Sequence, residues 1–160
     1  MSKLTLTELM ATNPDGALEK IAAEYQVSLL TVIQALPHCR LLAGQHFDQV
    51  CQAVEQWGNV TILVNTPDII FEFYGNLPSG KHGHGYYNLQ GKQGFSGHIS
   101  AQRCQHIAFI ERKFMGVDTA SILFLNDAGQ AMFKIFVGRD EQRNLQAEQL
   151  SAFRQLSQIK

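Results

Sequence analysis

The apolar residues of this chain change their spacing twice, and that change limits the folds open to it. Before Val60 they recur at helical intervals: Leu18, Ile21, Ala22 and Tyr25, then Leu29, Val32, Ile33 and Leu36, then Phe47, Val50, Cys51, Val54 and Trp57. From Val60 to Val137 they fall into short β-branched and aromatic runs. Beyond Gly138, Leu145, Leu150, Phe153 and Leu156 return to helical spacing. The order predicts an α+β fold with N-terminal helices, a large antiparallel meander sheet and a C-terminal helix. At 160 residues this is one domain spanning 1–160. A chain of that size can bury roughly 70% of its unfolded surface and needs no covalent staple.

Local punctuation sharpens the expectation. Leu4, Leu6, Leu9 and Met10 make a short helical start. Asn13-Pro14 reads as an N-cap followed by proline at the first helical position, and Ser28 as a second cap. Pro37 stops one helix and Gly58 closes another. Strands are expected at 59–65, 68–74, 86–90, 95–100, 106–112, 121–125 and 131–137, with a turn at 91–94 and a hairpin loop at 126–130. A last helix is expected to be capped near Asp140. Strand spacing assigns Phe71, Phe73, Phe109 and Phe124 to the core.

Charge removes several function classes. The formal net charge is −1, which argues against binding driven by nucleic acid or an anionic membrane. Residues 18–36 have a helix-turn-helix rhythm, but 29–36 carry no Lys or Arg to read DNA, so two helices packed on a sheet are expected there. No apolar run approaches the 18 or so residues of a membrane span. Residues 1–16 hold no long apolar core, so a secretory leader is not expected. Three cysteines, Cys39, Cys51 and Cys104, lack C-x-x-C spacing and read as reduced thiols of a cytoplasmic protein.

The segment 77–99 concentrates the chemistry. It holds His82, His84, His98, Tyr86, Tyr87 and six glycines. Imidazole and phenolate bind iron or zinc and move protons near neutral pH. His82-Gly83-His84 suggests a zinc pair, yet no carboxylate or thiolate lies in the segment to complete a tetrahedron. Gly80-Lys81-His82 lacks the Ser or Thr of a P-loop, and Gly83-His84-Gly85 lacks the third glycine of a dinucleotide fingerprint. Gly94-Phe95-Ser96-Gly97 misses nucleophile-elbow spacing, and nothing marks Cys104 as activated beside His106. Strand alternation puts His98 on the opposite face from Phe95, Gly97 and Ile99, either as a ligand or as a solvated histidine.

Taken in order, Pro14-Asp15-Gly16, Trp57-Gly58-Asn59-Val60-Thr61, Glu72-Phe73, Leu77-Pro78-Ser79-Gly80, His84-Gly85-Tyr86 and Ser96-Gly97-His98-Ile99 form one pattern. It continues through Ile110-Glu111-Arg112-Lys113-Phe114-Met115-Gly116, Asp118-Thr119-Ala120-Ser121-Ile122-Leu123-Phe124, Lys134-Ile135-Phe136 and Gly138-Arg139-Asp140. The chain thereby resembles the ChuX/HutX-type haem utilisation proteins of bacteria over nearly its whole length. The resemblance implies a cytoplasmic haem carrier that forms a homodimer, its sheets joining to look like one two-halved haem-degrading protein. It also implies a cytosolic haem-degrading acceptor. Of two family histidines implicated in haem binding, one matches His98 and the other falls at Asn65, which is no useful iron ligand. His82, His84 and Tyr86 are the reserve ligands, and Lys81, Lys92, Arg103, Arg112, Lys113 and Arg139 the candidate partners for propionates. A haem-degrading enzyme is the first alternative, and a regulatory DNA-binding module using the N-terminal helices the second.

Overall fold

Where two layers cover a sheet, every residue of its central strands is buried, and the sequence reads as a continuous apolar run. Residues 120–125 are all buried and, Ser121 apart, all apolar. The computed structural model describes residues 2–92 and 94–160. Its elements are α1 (Leu6–Ala11), α2 (Leu18–Tyr25), α3 (Leu29–Gln34), β1 (Cys39–Ala43), α4 (Phe47–Val54), β2 (Asn59–Asn65), β3 (Ile70–Asn76), β4 (Gly80–Gly83) and β5 (Tyr86–Leu89). They continue with β6 (Gly97–Ile99), β7 (His106–Phe114), β8 (Val117–Leu125), β9 (Ala131–Phe136) and α5 (Ala147–Leu156). Six strands form an antiparallel sheet in the order β1-β7-β8-β9-β2-β3, and β4-β5-β6 form a second, smaller one. The architecture is α+β, as the change of period predicts.

The large sheet has a core on each face. Ile107 and Phe109 of β7 and Ile122 and Phe124 of β8 enter one core with α4, α5 and the small sheet. Their strand neighbours Ala108, Ile110, Leu123 and Leu125 enter the other, beneath α1–α3. The helix-turn-helix rhythm is thus spent on packing: Leu29, Val32 and Ile33 of α3 are buried in that second core. No helix among the described residues is long and apolar enough to cross a membrane.

Gln149 of α5 is buried and ties three segments together. Its Oε1 accepts from the Gly138 amide at 2.7 Å, and its Nε2 donates to the carbonyls of Trp57 and Asn59 at 2.9 and 2.8 Å. The cysteines are unbridged; Cys51 and Cys104 are buried and Cys39 half-buried. Burial pushes the Cys104 thiol up to about 11, and raises Cys51 and Cys39 as well.

Several local expectations are corrected. Asn13-Pro14 does not start a helix: Asn13 has φ +48°, and α2 begins after Ala17. That stretch instead anchors the β7–β8 hairpin. Asp15 accepts from the amides of Met115 at 2.7 Å and Gly116 at 2.9 Å, while the Arg112 guanidinium donates to the carbonyls of Pro14 and Gly16. Met115 and Gly116, at φ +53° and +80°, make the two-residue turn, and the strands run further than expected on either side. Asp140 does not cap α5, which begins at Ala147; its carboxylate accepts from the amides of Gln142 and Asn144 in the preceding turn. Phe109 and Phe124 are buried and Phe73 stacks on Phe95 with 4.3 Å between ring centres, but Phe71 is 67% exposed because β3 is an edge strand with no layer over that position. The turn expected at 91–94 includes Gln93, which lies outside the described residues.

The amides of Gly116 and Met115 hold the Asp15 carboxyl below the ordinary aspartate range. A folded pKa below the unfolded one contributes stability in full above the unfolded value, and that contribution is lost as pH falls through the folded value. Asp15→Asn is therefore expected to be less stable than wild type at neutral pH and to lose less on acidification between about pH 4 and pH 2. Urea melts across that range check it; parallel curves for the two proteins would overturn it.

Candidate functional site

The small sheet presents one face outward, and register decides what stands on it. Asn88 lies directly opposite His98 on β6 and opposite Lys81 on β4, while Tyr86 lies opposite Gly83. Cross-strand partners share a face, so Lys81, Asn88 and His98 form a row, with Tyr86 beside it. The Tyr86 and His98 rings are 5.8 Å apart and tilted by 58°. His98 is exposed, and its Nδ1 lies 2.5 Å from Asn88 Oδ1. Its Nε2 makes no hydrogen bond to the described residues. Asn88 Nδ2 donates to the carbonyls of Lys81, Gly83 and Tyr86 at 3.0, 3.1 and 3.3 Å.

Behind this face, His98 borders a cavity of about 340 Å³ lined by Ile62, Val64, Leu89, Phe95, Met132 and Phe133 among others. It lies between the short edge strand β6 and the large sheet. Strand β6 thus walls an apolar crevice with one face and carries an exposed imidazole on the other, with a lysine in the same row, and an apolar wall, a ligating nitrogen and a cation are the groups that a flat, apolar, carboxylated metal complex needs.

The other candidates are dispersed. His82 points to the opposite side of β4, where its Nε2 donates to both carboxylate oxygens of Asp48 at 2.8 and 2.9 Å and its ring meets Tyr87 edge-on. His84 and Gly85, at φ +55° and +85°, are the two-residue turn joining β4 to β5. The His-Gly-His spacing thus sends one histidine to a carboxylate on α4 and the other to a turn. Among the described residues no three His, Cys, Asp or Glu side chains converge on a metal position.

Asn65 ends β2 on the other face of the large sheet. It borders a separate cavity of about 190 Å³ with Leu18, Glu19, Ile110, Arg112 and Lys134. Lys134 there pairs with Glu19. Asn65 and His98 line different cavities.

Of the candidate cations, Arg103 pairs with Asp127 and Lys113 with Asp118. Arg112 holds Pro14 and Gly16, and Arg139 donates to the carbonyls of Arg143 and Asp118. Lys81 and Lys92 have no carboxylate partner among the described residues, and Lys81 shares the face of His98. The lysine is two strand spacings from His98, about 10 Å. Sequence reasoning passed over Asn88 and the crevice residues Ile62, Val64 and Met132. Only strand register reveals Asn88, and only the meeting of two sheets creates the crevice.

Comparisons with known proteins place the chain in a family. Residues 40–156 match the family described as haem utilisation ChuX/HutX. The chain is 31% identical over 156 residues to the intracellular haem transport protein HutX of Vibrio cholerae, covering 96% of this chain and 81% of HutX. It is 56% identical to the haem-binding protein ChuX in a solved structure, with a TM-score of 0.91 over 96% of this chain and 97% of ChuX. The haem-degrading enzyme ChuS of Escherichia coli O157:H7 shares the fold at 10% identity, with a TM-score of 0.78 over 97% of this chain and 48% of ChuS. The sequence pattern, the two-sheet architecture and these matches agree: the chain belongs to the ChuX/HutX haem utilisation family.

Proposed function

We propose that this protein binds haem and carries or buffers it in the cytoplasm, with His98 as the axial ligand. The observation that carries the reading is His98 itself, an exposed imidazole whose Nε2 makes no hydrogen bond to the described residues, on a strand that walls an apolar crevice. Tyr86 stands beside it, and Lys81 is the cation in line to meet a propionate. His82 and His84 take no part, because one is bound to Asp48 and the other forms a turn. Burying about 400 Å² of porphyrin at about 25 cal/mol per Å² is worth about 10 kcal/mol before the cost of association. An open crevice with one protein ligand suits reversible holding, and a cytosolic haem-degrading protein is the acceptor this chemistry serves.

The assembly proposed is a homodimer. Strand β3 pairs only with β2, and its free edge carries Ile70 and Phe71, each 67% exposed, and Tyr74, 61% exposed. A long apolar edge strand invites pairing with another chain, and a second copy meets it with the same residues.

Titration with one equivalent of haemin tests the function. A Soret band that co-elutes with protein of twice the monomer mass, and that persists with ascorbate and catalase, is the expected result. Bleaching with biliverdin-like absorbance would turn the reading to haem degradation, and no retention of haem would overturn both.

A further inference from the structure

We propose that Asn88 is the positioning residue that prepares His98 for iron, by fixing its imidazole as the Nδ1–H tautomer so that Nε2 is the bare nitrogen. The inference rests on the haem reading above. Its logic lies in the amide of Asn88. The Nδ2 end faces three backbone carbonyls, those of Lys81, Gly83 and Tyr86, at 3.0–3.3 Å. Carbonyl oxygens only accept. Turning the amide over would set Oδ1 against all three, so the orientation is settled by the hairpin and not by His98. Oδ1 is then the atom that meets His98 Nδ1 at 2.5 Å, and an amide oxygen only accepts. Nδ1 must therefore carry the proton, and a neutral ring has one proton to place. The lone pair is left on Nε2.

In this way the β4–β5 hairpin selects a histidine tautomer on β6. The tautomer is the opposite of the one that a free histidine side chain favours in water. It is also the arrangement in which a ligating histidine donates its second ring N–H to an outer partner, which orients the ring and raises its basicity. The Tyr86 ring, 5.8 Å away, limits the ring's rotation from the side.

Two variants separate this role from simple stitching of the hairpin. Asn88→Leu loses both the donor to the carbonyls and the acceptor for His98. Asn88→Asp loses the same donor, sets an anionic oxygen against the three carbonyls and keeps the acceptor, so a tautomer retained there owes nothing to a better-preserved hairpin. The first readout needs no haem: long-range proton–nitrogen spectra of the apo protein, labelled at histidine and held where the ring is neutral. Wild type and Asn88→Asp are expected to show a protonated Nδ1 on His98, and Asn88→Leu to lose that preference. In the haem complexes, Asn88→Leu is expected to bind about 10–100-fold more weakly, whereas Asn88→Asp binds close to wild type with a more negative iron midpoint potential. A protonated Nε2 on His98 in a wild-type protein that does bind haem would overturn the inference alone, as would indistinguishable tautomers and affinities for the two variants. A protonated Nδ1 in a protein that takes up no haem would overturn the haem reading and the role of Asn88 with it.

Discussion

Replacing His98 with alanine is expected to cost this protein more haem affinity than any other single change. Losing an outer partner of a metal ligand typically costs about 10–100-fold, and losing the ligand itself should exceed that. The ferric Soret band should shift and weaken toward that of a water-ligated or loosely adsorbed porphyrin. Apolar contacts with the crevice walls remain, so binding should fall without vanishing. His82→Ala is the control: its ring is engaged with Asp48 on the other side of β4, and the haem spectrum should keep its shape. Equal spectra and affinities for wild type and His98→Ala would remove His98 from the iron, and a collapse in His82→Ala alone would move the ligand there.

The largest expected effect on stability belongs to Gln149→Leu. The side chain is 3% exposed and makes three hydrogen bonds, to the Gly138 amide and the Trp57 and Asn59 carbonyls. Leucine fills comparable space and favours the helix, so the loss comes from polar groups left without this partner. A buried group stripped of its partner costs about 1–3 kcal/mol, and this one change affects three. A destabilisation of about 3 kcal/mol is expected, lowering the melting temperature by about 10 °C for a chain of this size. A loss below about 1 kcal/mol in urea melts would show that water or other groups take over the bonds.

What the sequence reveals follows from how far each signal reaches along the chain. The strand expected at 59–65 matches β2, and α2 and β9 lie where periodicity puts them, because each carries a strong repeat of its own. Strand β4 reads Gly-Lys-His-Gly and has no apolar residue to announce it. It exists because β5 pairs with it and because Gly80 lies under the Tyr87 ring, where a Cβ would be 2.0 Å from the nearest ring atom. The outer parts of β7 and β8 are too polar to show alternation, and Asp15 reaches them from far away in sequence. Phe71 alternates like a core residue and is exposed, since alternation reports a strand and not whether a layer covers it.

The site divides in the same manner. His98 and Tyr86 are legible as residue types, and the fold does bring them side by side. The His82-Gly83-His84 cluster is legible too, yet it is dismantled by Asp48, a partner with no local signature, and by a turn that needs His84 at positive φ. Asn88 looks like any polar strand residue until the register of β5 against β6 sets it across from His98.

The burial of the thiols bears on how a protein proposed to carry haem would survive that cargo. Free iron porphyrin in air generates peroxide, and the sulfur that peroxide attacks is the thiolate. With Cys104 pushed up to about 11 and Cys51 held protonated by its apolar surroundings, almost no thiolate exists at neutral pH. Those two sulfurs lie in the core between the sheets and the helices, chemically quiet, which suits a protein proposed to hold an oxidant.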